Sequence, residues 1–161
     1  MADDAAGEAG GPGYSRPGAV LFVCRQNAVR SPMAAAIARH LFGNSIYVRS
    51  AGVRPDEKDP FAAAVMEEVG LDISQHRPIA LDELEDTNFD LVVTLAPEAH
   101  HQVLDMARTE ALEVEYWPII DPTATMGSRS QIMDAYRSVR RDLETRIRRR
   151  FELPATPLLG D

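Results

Sequence analysis

The sequence predicts an α/β fold, a single domain on a parallel four-stranded sheet with helices on both faces. Three observations predict it. Short apolar runs alternate with helical patterns from Ala19 to Phe151, the order that yields parallel strands joined by right-handed crossovers. The first run, Ala19-Val20-Leu21-Phe22-Val23, is continuously apolar, as a strand covered on both faces must be. Between that strand and the first helix, Cys24 to Ser31 forms a loop at the place where open α/β sheets bind ligands.

The elements follow in order. Pro32 to Leu41 reads as a helix, with proline in its first turn, alanines within it and Gly43 at the capping position. Ile46 to Arg49 is a second strand. Asp59, as N-cap, and Pro60 open a helix that runs to Gly70. Asp90 to Leu95 is a third strand, and Pro97 to Ala107 the helix after it. Leu112 to Trp117 alternates, as an edge strand with one wetter face does. A last helix spans about Ser130 to Phe151, with Ile132, Tyr136, Val139, Leu143 and Ile147 on one face. Residues 1–17, rich in Gly, Ala, Pro and acidic side chains, read as a disordered extension, 18–151 as the domain and 152–161 as a tail.

Composition excludes several classes. The 161 residues carry a formal net charge of −8, unsuited to a nucleic-acid partner, since backbone binders are usually basic. No apolar stretch approaches the roughly 20 residues of a membrane helix, so no membrane partner is expected, and the acidic N-terminus lacks a secretory pattern. These features fit a cytoplasmic protein. The single cysteine, Cys24, precludes an internal disulfide and argues against a cysteine-ligated zinc. No metal site and no cofactor is expected. His40, His100 and His101 read as surface residues, and Arg146, Arg148, Arg149 and Arg150 as a solvated, favourably placed helix C-terminus.

Cys24-Arg25-Gln26-Asn27-Ala28-Val29-Arg30-Ser31 carries the chemistry. Its backbone N–H groups can wrap an oxyanion at the positive end of the following helix, which makes it a phosphate-binding loop after the first strand. Arg30 adds a planar fork matching two phosphate oxygens. The same field favours a thiolate at Cys24, with Ser31 placed to donate to the sulfur. A lone buried cysteine is commonly just a small hydrophobe, but Cys-x5-Arg-Ser between a buried strand and a proline-started helix is a far rarer coincidence. The glycine pattern of nucleotide loops is absent.

Val20-Leu21-Phe22-Val23-Cys24-x-x-Asn27-x-x-Arg30-Ser31-Pro32-Met33-Ala34 resembles the opening of low-molecular-weight protein-tyrosine phosphatases. The likeness continues through Ser50-Ala51-Gly52, Gly70 to Arg77, Phe89-Asp90-Leu91 and Asp121-Pro122. It implies Cys24 as nucleophile, Arg30 as phosphate clamp and Asp121 as general acid. It implies Arg25, Gln26, Asn27, Ala28, Val29 and Ser31 around the substrate phosphate, with Ser50 and His76 supporting the loop. The implied activity is hydrolysis of a phosphorylated protein or small aryl phosphate through a phosphocysteine. Gln26 stands where relatives commonly have glycine, Thr123 and Ala124 where phosphotyrosine enzymes often carry tyrosines, and Val53-Arg54-Pro55-Asp56 lacks an aromatic. Thioredoxin-coupled arsenate reductases share the fold and the loop but have a further cysteine where this chain has Ala96. Their internal disulfide relay is therefore impossible here, and an arsenate reductase would need an external thiol donor. A phospho-binding relative without turnover is the third alternative.

Overall fold

The computed structural model describes residues 16–85, 88–107 and 112–152. Its four strands, β1 (Ala19–Cys24), β2 (Tyr47–Gly52), β3 (Leu91–Thr94) and β4 (Glu113–Tyr116), form one all-parallel sheet in the order β2-β1-β3-β4. The helices are α1 (Arg30–Phe42), α2 (Pro60–Glu67), α3 (Pro97–Ala107) and α4 (Arg129–Phe151). This is the architecture expected from the alternation of elements. The chain leaves β1 for β2 on one side and returns to β3 on the other, so the crevice lies at the carboxyl ends of β1 and β3.

The pleat sends alternate β1 residues to opposite faces. Val20, Phe22 and Cys24 join Met33, Ile37, Val65, Leu143 and Ile147 in a core under α1, α2 and α4, whereas Leu21 and Val23 join Ala99 and Val103 beneath α3. Phe22 meets Trp117 with ring centroids 6.0 Å apart, and Trp117 meets Phe151 at 6.4 Å, which ties the sheet to the end of α4.

Helix ends explain the small departures from the predicted bounds. Asp59 caps α2 by accepting the N–H groups of Phe61 and Ala62, but α2 stops at Glu67, and Gly70 turns through φ +79° three residues later. Gly43 occupies the C-cap of α1 in a right-handed conformation, φ −62°, so no left-handed turn is used. α4 begins at Arg129, where Ser128 and Gln131 exchange hydrogen bonds as a capping box. The proposed extension 1–17 lies outside the described residues up to residue 15, but Arg16 is tied down: its Nε donates to the Phe151 carbonyl at 3.0 Å. The tail from 153 is likewise outside them. β4 is an edge strand, with Glu113 and Tyr116 exposed. No described helix is long and apolar enough to cross a membrane.

Candidate active site

Cys24 is the last residue of β1, paired in register with Gly52 of β2. The chain then curls back, and by Arg30 it is helical. Val29 at the N-cap offers no side-chain acceptor, so the first turn of α1 keeps N–H groups for the loop. The Cys24 sulfur lies at this turn, buried, accepting the N–H groups of Asn27 (3.3 Å) and Ser31 (3.4 Å) and sharing a hydrogen bond with Ser31 Oγ (2.9 Å).

Asn27 holds the curl. Its φ of +55° is the left-handed conformation, which asparagine tolerates better than most residues. Its side chain is fully buried and satisfied three times: Nδ2 donates to Ser31 Oγ (2.8 Å) and Ser50 Oγ (3.0 Å), and Oδ1 accepts the Ile79 N–H (2.9 Å). His76 Nε2 meets the Asn27 carbonyl at 2.8 Å; that carbonyl can only accept, so Nε2 carries the proton. Burial, the largest influence, holds His76 below the usual histidine range, although this hydrogen bond pulls the other way.

Ser50, Asn27, Ser31 and Cys24 thus form one connected buried network, and His76 and the Ile79 N–H brace it from a segment about fifty residues on. Gly52 completes it by having no side chain: a Cβ there would lie 2.7 Å from the Asn27 nitrogen.

Arg30 is 7% exposed. Its Nη1 donates to the Ile119 carbonyl at 3.0 Å, and its Nη2 lies 3.7 Å from Asp121 Oδ2. Asp121 follows β4 at the start of a 3-10 turn (Pro122–Ala124), and its Oδ1 accepts both the N–H (3.0 Å) and the hydroxyl (2.7 Å) of Thr123. One carboxylate oxygen is therefore held by the turn while the other faces Arg30. The nearby carboxylate of Asp59 accepts from Tyr136 at 2.7 Å, and burial above all, then this bond and the charges of Asp59 and Asp121, keeps that phenol protonated.

Sequence reasoning named most of these groups, and the fold brings Cys24, Asn27, Arg30, Ser31, Ser50, His76 and Asp121 together. Ala28 and Val29 are buried in the loop wall. The Asn27 side chain points into the network, so only its backbone can meet a ligand in the loop. The side chains of Arg25 and Gln26 turn to the rim, where Arg25 pairs with Glu98 and Gln26 Nε2 donates to Asp56 Oδ2 at 3.3 Å. Four contributors had been given no such role: Thr123 as partner of Asp121, Gly52, and the main chain of Ile119 and of Ile79. The Asp-Pro-Thr turn gave a signal for the first; backbone partners leave no residue-type signal. His100 is not a bare surface residue either, since it stacks on Tyr116 and shares a hydrogen bond with Thr94. Of the basic run, Arg146, Arg148 and Arg150 are ion-paired, Arg150 with Glu115 at 2.6 Å.

A parallel α/β sheet with a cysteine-bearing phosphate-binding loop at the tip of its first strand defines the class of protein. The chain belongs to the low molecular weight phosphotyrosine protein phosphatase family, whose model matches residues 19–153. Two enzymes in this class resemble it at the same level. "Glutaredoxin arsenate reductase" of Synechocystis sp. is 30% identical over 128 residues, covering 80% of this chain and 92% of that one. "Arsenate reductase" of Bacillus subtilis is 30% identical over 129 residues, covering 80% and 91%. Among solved structures, a low molecular weight protein tyrosine phosphatase from T. tengcongensis is 27% identical with a TM-score of 0.68, over 83% of this chain and 95% of that one. An arsenate reductase in the phosphate-binding state is 30% identical with a TM-score of 0.63, over 81% and 94%.

Proposed function

We propose that this protein is a phosphomonoester hydrolase working through a phosphocysteine. The observation that carries the choice within the family is that Cys24 is the only cysteine in the chain. A lone thiol can complete phosphoryl transfer with water alone, whereas reduction of an oxyanion consumes two electrons that a second thiol must help supply.

In this reading the thiolate of Cys24 attacks phosphorus, forming the S–P bond as the P–O bond to the leaving group breaks. Arg30 and the loop N–H groups hold the equatorial oxygens, and the N–H groups, braced in advance by the buried network, need no reorganisation as charge builds. Asp121 gives its proton, from Oδ2, to the departing oxygen. It then takes one from the water that attacks phosphorus and releases the thiolate. Arg30 turns from Ile119 and Asp121 toward the phosphate, and Ser31 aims its hydroxyl at sulfur, a donor for the leaving thiolate. Arg25 to Val29 contribute backbone, while Asn27, Ser50 and His76 hold shape. The substrate is a phosphorylated protein or aryl phosphate. Phosphotyrosine fits the family, although Thr123 and Ala124 offer no ring to stack on it.

The test is steady-state hydrolysis of an aryl phosphate and of phosphotyrosine peptides. Cys24→Ser should abolish turnover while still binding phosphate; near-normal hydrolysis by that variant would sink the proposal. A second reading, arsenate reduction with an external thiol protein, is favoured by the likeness to the glutaredoxin arsenate reductase of Synechocystis sp.. Arsenate-dependent oxidation of glutaredoxin, run in parallel and faster than aryl phosphate hydrolysis, would replace the first reading by the second.

A further inference from the structure

We propose that Arg25 and Arg54 form a second anion subsite on the rim of the loop, closed by Glu98, which selects phosphopeptides with a carboxylate beside the phosphorylated residue. The inference rests on the phosphatase reading and names its substrate class. Glu98, in the first turn of α3, offers one carboxylate oxygen to each arginine: Oε1 lies 3.2 Å from Arg25 Nε, and Oε2 lies 3.5 Å from Arg54 Nε. Two guanidinium groups are thereby spaced to grip a single carboxylate.

The main chain sets that spacing. The Arg54 N–H donates to the Arg25 carbonyl at 2.7 Å, and the Val53 N–H to the Cys24 carbonyl at 3.1 Å. Asp56, on the same rim, gives Oδ2 to the Gln26 amide and Oδ1 to the Glu57 N–H. The arginine side chains are 50% and 73% exposed and that of Glu98 is 40% exposed. Ion pairs so exposed contribute about 0–1 kcal/mol, so an arriving carboxylate displaces Glu98 at small cost and takes over both guanidinium contacts.

The sequence places this pair at the mouth of the site: Arg25 directly follows the nucleophile, and its side chain lies on the rim with that of Arg54. Glu98 therefore stands in for the flanking carboxylate of the substrate.

The experiment compares two fluorescent phosphotyrosine peptides that differ only in Glu or Gln beside the phosphotyrosine. Binding is read by anisotropy on Cys24→Ser protein, and hydrolysis is measured on protein with Cys24 intact. The Glu peptide should bind more tightly by roughly two- to fivefold, the scale of one exposed ion pair. Glu98→Gln should tighten it further, Arg54→Ala should bring the ratio near one, and added salt should shrink the preference. Both peptides bound, with a ratio that neither substitution moves, would overturn the subsite and leave the phosphatase reading intact. Neither peptide bound or hydrolysed would overturn both.

Discussion

Replacing Asn27 by alanine should be among the costliest single changes in this protein, although no part of the side chain faces a ligand. The substitution deletes the donors to Ser31 and Ser50 and the acceptor for the Ile79 N–H, all in the buried network. At about 0.5–1.5 kcal/mol for each hydrogen bond, and with buried partners left unpaired, this part comes to roughly 2–4 kcal/mol. Alanine must also hold φ near +55°, which adds about 1–2 kcal/mol. The total is about 3–6 kcal/mol, a large fraction of the usual stability of a domain. Urea unfolding reads it directly: with a slope of about 2 kcal/mol per M, the midpoint should fall by roughly 2 M at unchanged slope. Asn27→Gly separates the two causes, since glycine accepts positive φ and should recover about 1 kcal/mol over alanine. An alanine variant within about 1 kcal/mol of the parent, with glycine no better, would refute the view that this one side chain holds the loop.

The other predictions concern the same frame. Gly52→Ala places a Cβ 2.7 Å from the Asn27 nitrogen and should cost about 1–3 kcal/mol, with phosphate affinity falling in the same variant by calorimetry. Thr123→Val removes the hydroxyl that holds Asp121 Oδ1. It should lower kcat roughly tenfold, the scale of a lost hydrogen bond to a charged group, while KM for an aryl phosphate stays close to the parent value. His76 is held below the usual 6.5 in the folded protein, so the unfolded chain takes up its proton first on acidification. Its contribution is therefore full above pH 6.5 and is lost as pH falls through the folded value. His76→Gln should flatten that part of a stability–pH curve measured by urea unfolding, and an unchanged slope would count against the buried neutral ring. Glu68, paired with Arg137 and Arg140 and held at about 2, contributes above about 4.5 and loses it toward pH 2; Glu68→Gln should remove that acid limb.

What could be seen in the sequence divides along a physical line. Strand and helix identities were legible because burial on both faces of β1 and one buried face of α4 impose local patterns, period by period. Helix ends were less so: α2 stops at Glu67, the chain tightens into i→i+3 bonds at Val69 and Gly70, and the left-handed turn comes only at Gly70. Cys24, Arg30 and Ser31 were legible because they fall within eight consecutive residues between a strand and a helix. Asp121 was visible only through the resemblance, since an Asp-Pro-Thr turn alone is an ordinary cap, and in the structure Asp121 does cap its turn as well as face Arg30.

The least legible groups are those that make the loop rigid. Arg30 and Asp121 meet across 91 residues, and the Asn27 side chain is completed by the N–H of Ile79, a residue whose own side chain is beside the point. A backbone donor can be supplied by any residue except proline, so the sequence records it only as a distance along the chain. The consequence bears on catalysis. If Asn27, Ser50, His76 and the Ile79 N–H fix the loop before an anion arrives, then the N–H groups need no ordering when phosphate binds, and their full electrostatic effect is available to the transition state. Loosening the network should therefore reduce turnover more than the loss of a single loop donor would. Ser50→Ala, which removes one partner while leaving every loop residue in place, isolates that effect: kcat should fall with the loop sequence intact, and an unchanged kcat would place the rigidity elsewhere.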